Sequence, residues 1–296
     1  MRLVTRGDLD GVTSAVLITS MEQVGSIELL HPQDITDKRT KITTDDILVN
    51  LPYHPDCGMW FDHHELTDSN EKPPAVFRGK HAIAPSAARV IYDYYAAEKF
   101  RKYESLVSET DRFDAARLTK DDVLDPAGVI LLGYTIDSRS GIGRFKDYFS
   151  RLVEWLKAMP VEEVLRHPEV AERVKILREN NKTFLQALSE HSRLEGNVVV
   201  TDFRSLQKPP VGNRFLIYTL FPSATVSVRL QWGPDRRFVA TSIGHNIFNR
   251  TSKANCGQIC GEYGGGGHRG AGSCPVPTSE ADGSLKDIIR KLQEAG

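Results

Sequence analysis

Cysteine is scarce in this chain. Four residues of 296, at positions 57, 256, 260 and 274, are too few and too scattered for a disulfide framework. Cys256 and Cys260 stand one helical turn apart, but no Cys-x-x-Cys is present to read as a zinc site. Free thiols in a reducing compartment are the expectation. Long apolar runs are missing as well. None approaches the ~18–20 residues a membrane helix needs, so no membrane partner is expected. The opening stretch, Met1-Arg2-Leu3-Val4-Thr5, lacks the three regions of a secretory signal and reads as a buried strand, which suits a cytoplasmic protein. Net charge is almost absent, at −1, which removes whole-molecule attraction to long duplex nucleic acid. Internal repeats and low-complexity tracts are absent too.

What is present is an ordinary globular composition, 40% apolar and 26% charged, over a length that suits two domains. The charge is unevenly spread. From Asn197 onward 12 Lys/Arg face 7 Asp/Glu, a net of +5, whereas the first 196 residues carry 26 against 32, a net of −6. An acidic front half suits a cation, and a basic back half suits an anionic substrate.

Short apolar strands are read at 3–5, 27–30, 47–51 and 59–61. They alternate with helices at 11–21 and 85–100, the latter opened by Pro85. That alternation predicts a mostly parallel α/β sheet flanked by helices, with ligand groups just past the carboxyl ends of its strands. Residues 145–192 read as a charged helical connector broken at Pro160 and Pro168. Alternating strands at 197–201, 225–231 and 237–243 and a helix at 285–292 then make a smaller mixed α/β domain. The expected division is 1–194 and 195–296, with a cleft between the two.

Three clusters carry chemistry. Asp8-Leu9-Asp10-Gly11 places two carboxylates one residue apart at the end of a strand. They would share a side if the strand period persisted, and hard divalent cations favour such oxygens. Asp62-His63-His64 follows the strand Met59-Trp60-Phe61. Neighbouring histidines project differently, so one can ligate a metal while the other faces substrate, with Asp62 orienting an imidazole. Gly264 to Gly267, followed by His268 and Arg269, is costly to order and offers backbone N–H groups and basic side chains to an anion.

In register over nearly the whole chain, these motifs resemble the DHH phosphoesterase superfamily with its DHH-associated C-terminal domain, in its exopolyphosphatase-related and oligoribonuclease-like branch. The resemblance implies a metal-dependent phosphoesterase or phosphodiesterase. It would hydrolyse phosphoester or phosphoanhydride bonds of a small nucleotide, a short oligonucleotide or polyphosphate by metal-activated water. It implies Mn²⁺ or Mg²⁺ held by Asp8, Asp10 and His63, with a later acid that is either Asp111 or Asp137. Asp111 is favoured because it follows the helical stretch expected after the histidine pair. His64 and Asp62 become catalytic. Arg229, His245, Arg250, Gly265, Gly266, Gly267, His268 and Arg269 become substrate-binding. A homodimer is compatible with this reading.

Two departures stand out. The resemblance calls for a metal-bridging aspartate where the strand 47–49 ends in Asn50, a weak or outer ligand. It also calls for a histidine before the first Asp pair, where Val4 and Arg6 stand. One of two metal positions is thereby weakened. The departures motivate an alternative reading, a nucleotide- or oligonucleotide-binding protein that kept the cleft and lost turnover.

Overall fold

The structure is a computed structural model that describes residues 1–66, 71–136 and 145–296. The described chain forms two compact units, one of Met1–Arg117 and Pro126–Leu177, the other of Leu118–Asp125 and Arg178–Gly296. Position 194, where the sequence suggests a division, lies inside the second unit.

Unit 1 is built on five strands: β1 (Arg2–Thr5), β2 (Ser26–Leu29), β3 (Asp46–Val49), β4 (Met59–Asp62) and β5 (Gly79–His81). They lie in the order β2-β1-β3-β4-β5 and every pairing is parallel. The two-residue strand period sends Leu3, Ile47, Val49, Met59 and Phe61 into one core and Val4, Leu48 and Trp60 into another. A sheet covered on both faces reads as continuous apolar runs, as these strands do.

Its helices are α1 (Leu9–Met21), α2 (Pro32–Thr36), α3 (Ala87–Tyr95) and α4 (Glu104–Asp114). The short α5 (Lys120–Leu124) belongs to unit 2. Unit 1 resumes with α6 (Gly128–Tyr134), α7 (Phe145–Ala158) and α8 (Val161–Arg166), and α9 (Pro168–His191) carries the chain into unit 2. The stretch read as a connector, 145–192, holds α7, α8 and α9, and α7 contributes to the core of unit 1. Tyr148, Phe149, Leu152 and Val153 of α7 are fully buried with α1 and the sheet, which the many charges on the opposite face conceal in the sequence. Helix α3 is shorter than expected, because Ser86 caps its start and Ala96 leaves in a left-handed conformation (φ 44°).

Unit 2 holds β6 (Ser192–Glu195), β7 (Val198–Asp202), β8 (Val226–Trp232), β9 (Phe238–His245), β10 (Gly266–His268) and β11 (Ala271–Pro277). Their order is β10-β11-β9-β8-β7-β6, antiparallel except for β7 and β8. That parallel pair is bridged by a crossover containing α10 (Ile217–Leu220). Val198, Val200, Val226, Val228, Leu230, Val239 and Ile243 form one sheet face, covered by α11 (Cys256–Gly261) and α12 (Ala281–Glu294). The fold class is therefore α/β with a parallel five-stranded sheet and a separate mixed six-stranded sheet, as expected. Among the described residues no helix is long and apolar enough to cross a membrane.

Candidate active site

In unit 1 the polar residues gather past the carboxyl ends of β1, β3 and β4. Strand β1 stops at Thr5, so Asp8 and Asp10 do not continue its period. Asp8 is instead the N-cap of α1, its Oδ1 accepting from Gly11 N at 2.9 Å, and Asp10 falls in the first helical turn. Capping by an aspartate side chain is what separates the two carboxylates. A glycine is required at position 11, where a Cβ would stand 2.0 Å from Arg6 O.

Asp10 is fully buried. Its Oδ2 accepts from Ala87 N at 2.9 Å and its Oδ1 from Ala88 N at 2.8 Å, the first amides of α3. Orphan N–H groups at a helix start stabilise an anion placed there. Burial pushes the Asp10 pKa up and the charge of Asp8 adds to this, against the opposing pull of His63 and the two amides.

His63 follows β4. Its Nδ1 lies 3.0 Å from Ala84 O, so that nitrogen carries the proton and Nε2 keeps its lone pair. Nε2 is buried with no hydrogen-bond partner, 3.7 Å from Asp10 Oδ2 and 3.5 Å from Asp114 Oδ2. Asp114, the last residue of α4, has a pKa well above the carboxylate range, through desolvation first and then the charges of Asp10 and Asp8. His64 turns the other way, its Nδ1 2.8 Å from Asp62 Oδ1. Burial disfavours the imidazolium of His64, but the hydrogen bond and charge of Asp62 outweigh it and raise its pKa.

Asn50 directly follows β3 in a left-handed conformation, φ 56°, which asparagine tolerates better than most residues. Its Nδ2 donates to Asp8 Oδ1 at 3.1 Å, and Arg6 Nε lies 3.1 Å from Asp8 Oδ2. Asp111, the favoured later acid, is occupied elsewhere. Its Oδ1 accepts from Ser86 Oγ at 2.6 Å and its Oδ2 from Arg89 Nε at 2.9 Å. The acid that faces the cluster is Asp114, three residues further along α4 and nearly one turn round. Asp137, the alternative, lies outside the described residues.

Asp10, His63 and Asp114 bring one ligand atom each to within 4.8 Å of one another, as do Asp62, His63 and His64. Two carboxylates with raised pKa values around an imidazole lone pair make a donor set that suits a divalent cation. Carboxylate oxygens favour hard divalent cations such as Mg²⁺ or Mn²⁺.

In unit 2 the candidate anion-binding residues are dispersed over four places. Arg229 lies on β8 opposite Ser242, on the sheet face away from α11 and α12. His245 ends β9, with Nε2 3.0 Å from Ala254 O, and burial lowers its pKa. Arg250 Nε donates to Ile247 O at 3.1 Å. The glycine run is an exposed edge hairpin rather than a loop, with Gly266, Gly267 and His268 pairing with Ser273, Gly272 and Ala271. Its glycines have separate reasons. At Gly267, φ 149°, a Cβ would stand 2.3 Å from Ala271 O, and at Gly265 one would stand 2.0 Å from Ser273 O, whereas at Gly266 it would meet open space. His268 Nδ1 accepts from Gly270 N at 3.2 Å, and Arg269 stands exposed at the turn.

No protein-family model and no curated protein matches the chain. Solved structures do. A pGpG-specific phosphodiesterase, PggH from Vibrio cholerae, shares 34% identity at a TM-score of 0.85, covering 100% of this chain and 99% of that one. RecJ from Thermus thermophilus in complex with Mn²⁺ shares 10% identity at a TM-score of 0.60, covering 99% of this chain and 52% of that one. An exopolyphosphatase-related protein from Bacteroides fragilis shares 12% identity at a TM-score of 0.54, covering 99% and 92%. The last two likenesses are of fold alone, and the first extends to sequence along the full chain. Together with the Asp-x-Asp-Gly, Asp-His-His and glycine-histidine motifs, they establish that this chain is a hydrolase belonging to the DHH phosphoesterase superfamily.

Proposed function

We propose that this protein is a divalent-cation-dependent phosphodiesterase that hydrolyses short linear oligonucleotides, a dinucleotide such as pGpG first among them. The observation that carries the chemistry is His63, whose buried Nε2 has no hydrogen-bond partner and faces the carboxylates of Asp10 and Asp114. Asp10, His63 and Asp114 would hold the cation, which supplies charge neutralisation and Lewis acidity when bound. Full-length identity of 34% to a pGpG-specific phosphodiesterase supports the substrate class.

The chain's own groups do the rest. The α3 amides fix Asp10, and Ala84 O fixes the tautomer of His63. Asp62 orients His64 and keeps it protonated at higher pH than a free imidazole. As water adds to phosphorus and the bond from phosphorus to the 3′-oxygen of the leaving nucleotide breaks, His64 gives its proton to that oxygen. Within unit 2, Arg269, His268 and the backbone at Gly266 offer donors suited to a phosphate, with Arg229, His245 and Arg250 as further basic groups of that unit.

The test is chromatography of products from purified protein with Mn²⁺ on pGpG, a cyclic dinucleotide and short polyphosphate. GMP should appear from pGpG, and excess chelator should stop its release. Shortened polyphosphate with pGpG intact would overturn the substrate class. Undiminished turnover in chelator would sink the metal dependence.

A further inference from the structure

Asp8 and Asp10 are one residue apart and meet opposite surroundings. Asp10 accepts from backbone amides and faces the His63 lone pair. Asp8 is already supplied with donors on both oxygens. Oδ1 takes Gly11 N at 2.9 Å and Asn50 Nδ2 at 3.1 Å, and Oδ2 takes Arg6 Nε at 3.1 Å.

Arg6 is placed there by the backbone, since Gly11 packs directly on its carbonyl. Its charge is felt at both His64 and Asp114, so it belongs to the same cluster. The Arg6 side chain remains 36% exposed and can still reach a ligand. Asn50 presents an amide where a carboxylate would add a negative charge beside Asp8. A permanent positive charge and a neutral amide therefore occupy the Asp8 side, and the unpartnered nitrogen with two carboxylates occupies the Asp10 side.

Building on the phosphodiesterase reading, we propose that the centre takes one divalent cation, at Asp10, His63 and Asp114, and that Arg6 is a fixed cation replacing a second. Its planar fork, always charged, is suited to a phosphoryl oxygen of the substrate. A guanidinium held by Asp8 needs no ion from solution to be present at each turnover.

The experiment titrates the full chain with Mn²⁺ by calorimetry, counts metal per chain by elemental analysis, and records the Mn²⁺ EPR spectrum. Wild type should bind one ion per chain with the spectrum of an isolated ion. Arg6→Gln should keep that ion and lose roughly ten- to hundredfold in kcat/KM on pGpG. Arg6→Lys should recover part of the loss. The pair Arg6→His with Asn50→Asp should bind a second ion and show exchange coupling. Two tightly bound ions in active wild type would overturn the proposal and leave the phosphodiesterase reading standing. So would Arg6→Gln at full kcat/KM. Turnover with no metal bound would overturn both.

Discussion

Asp10 of unit 1 is 1% exposed, and beside it His63 Nε2 has no hydrogen-bond partner, whereas His268 and Arg269 of unit 2 stand on an exposed edge hairpin. A buried carboxylate beside a second one and facing a lone pair is unfavourable until something positive joins it, and a low dielectric magnifies the gain when it does. An exposed hairpin carries no such tension, and water screens what it binds. Substitutions in the first region should therefore abolish chemistry, and those in the second should weaken association.

The largest effect is expected at Asp114. Asp114→Asn should release the metal and lower kcat/KM by roughly 10³-fold or more, since a lost ligand removes several kcal/mol of transition-state stabilisation. Asp111→Asn, whose wild-type partners are Arg89 and Ser86, should keep the metal and lose about tenfold through the looser start of α3. Equal loss of metal in both variants would erase the distinction between the two acids.

A matched pair of ion pairs extends the comparison to stability. Asp46, 1% exposed, is bound by Arg2 through contacts of 2.7 Å to each oxygen. In unit 2 Arg204 grips Asp202 with side chains 22% and 26% exposed. Burial raises both carboxyls, but their arginines outweigh it and leave both pKa values below the ordinary one. A depressed folded pKa stabilises above the unfolded value of about 3.9, and that contribution fades as pH falls through the folded value. Asp46→Asn should cost about 3 kcal/mol at neutral pH and Asp202→Asn about 1 kcal/mol. Urea unfolding at pH 7 and in acid measures both, and a gap to wild type that fails to narrow in acid would contradict the electrostatic origin.

Arg269→Ala should follow, with a ten- to hundredfold loss in kcat/KM carried mainly by KM, the metal count unchanged. A minimal aryl phosphodiester should suffer less than pGpG in steady-state kinetics. An equal loss on both would remove Arg269 from the binding of a second phosphate.

The smallest stability effect belongs to Gly266→Val, where a Cβ meets open space. It should change unfolding free energy by under about 0.5 kcal/mol while raising KM as Arg269→Ala does. Gly267→Val has to break its φ of 149° and the contact with Ala271 O, and should cost more than ~1 kcal/mol. If the two valine variants unfold alike, the hairpin's glycines serve packing alone.

Much of this was legible in residue order. The strands of the parallel sheet are dense apolar runs, and the Asp-His-His motif begins on the last residue of one of them. Strand β11 was hidden by Pro275 and Pro277, which pair with β9 beyond the end of β10, where a missing N–H costs no ladder bond. Asp114 was visible three residues after Asp111, but helix phase alone does not say which of two acids faces a distant histidine. The roles of Ser86 and Arg89 had no local signal, because their partner lies on another helix. Spacing also suggested one side for Asp8 and Asp10, and the N-cap separated them.

The grip of α3 on Asp10 turns two backbone amides into spectroscopic probes. Ala87 N and Ala88 N each donate to an oxygen of that carboxylate, at 2.9 and 2.8 Å. Whatever draws electron density from Asp10 weakens those hydrogen bonds. Their proton chemical shifts and solvent-exchange rates thereby give an NMR readout of site occupancy, residue by residue, with no substrate and no turnover required.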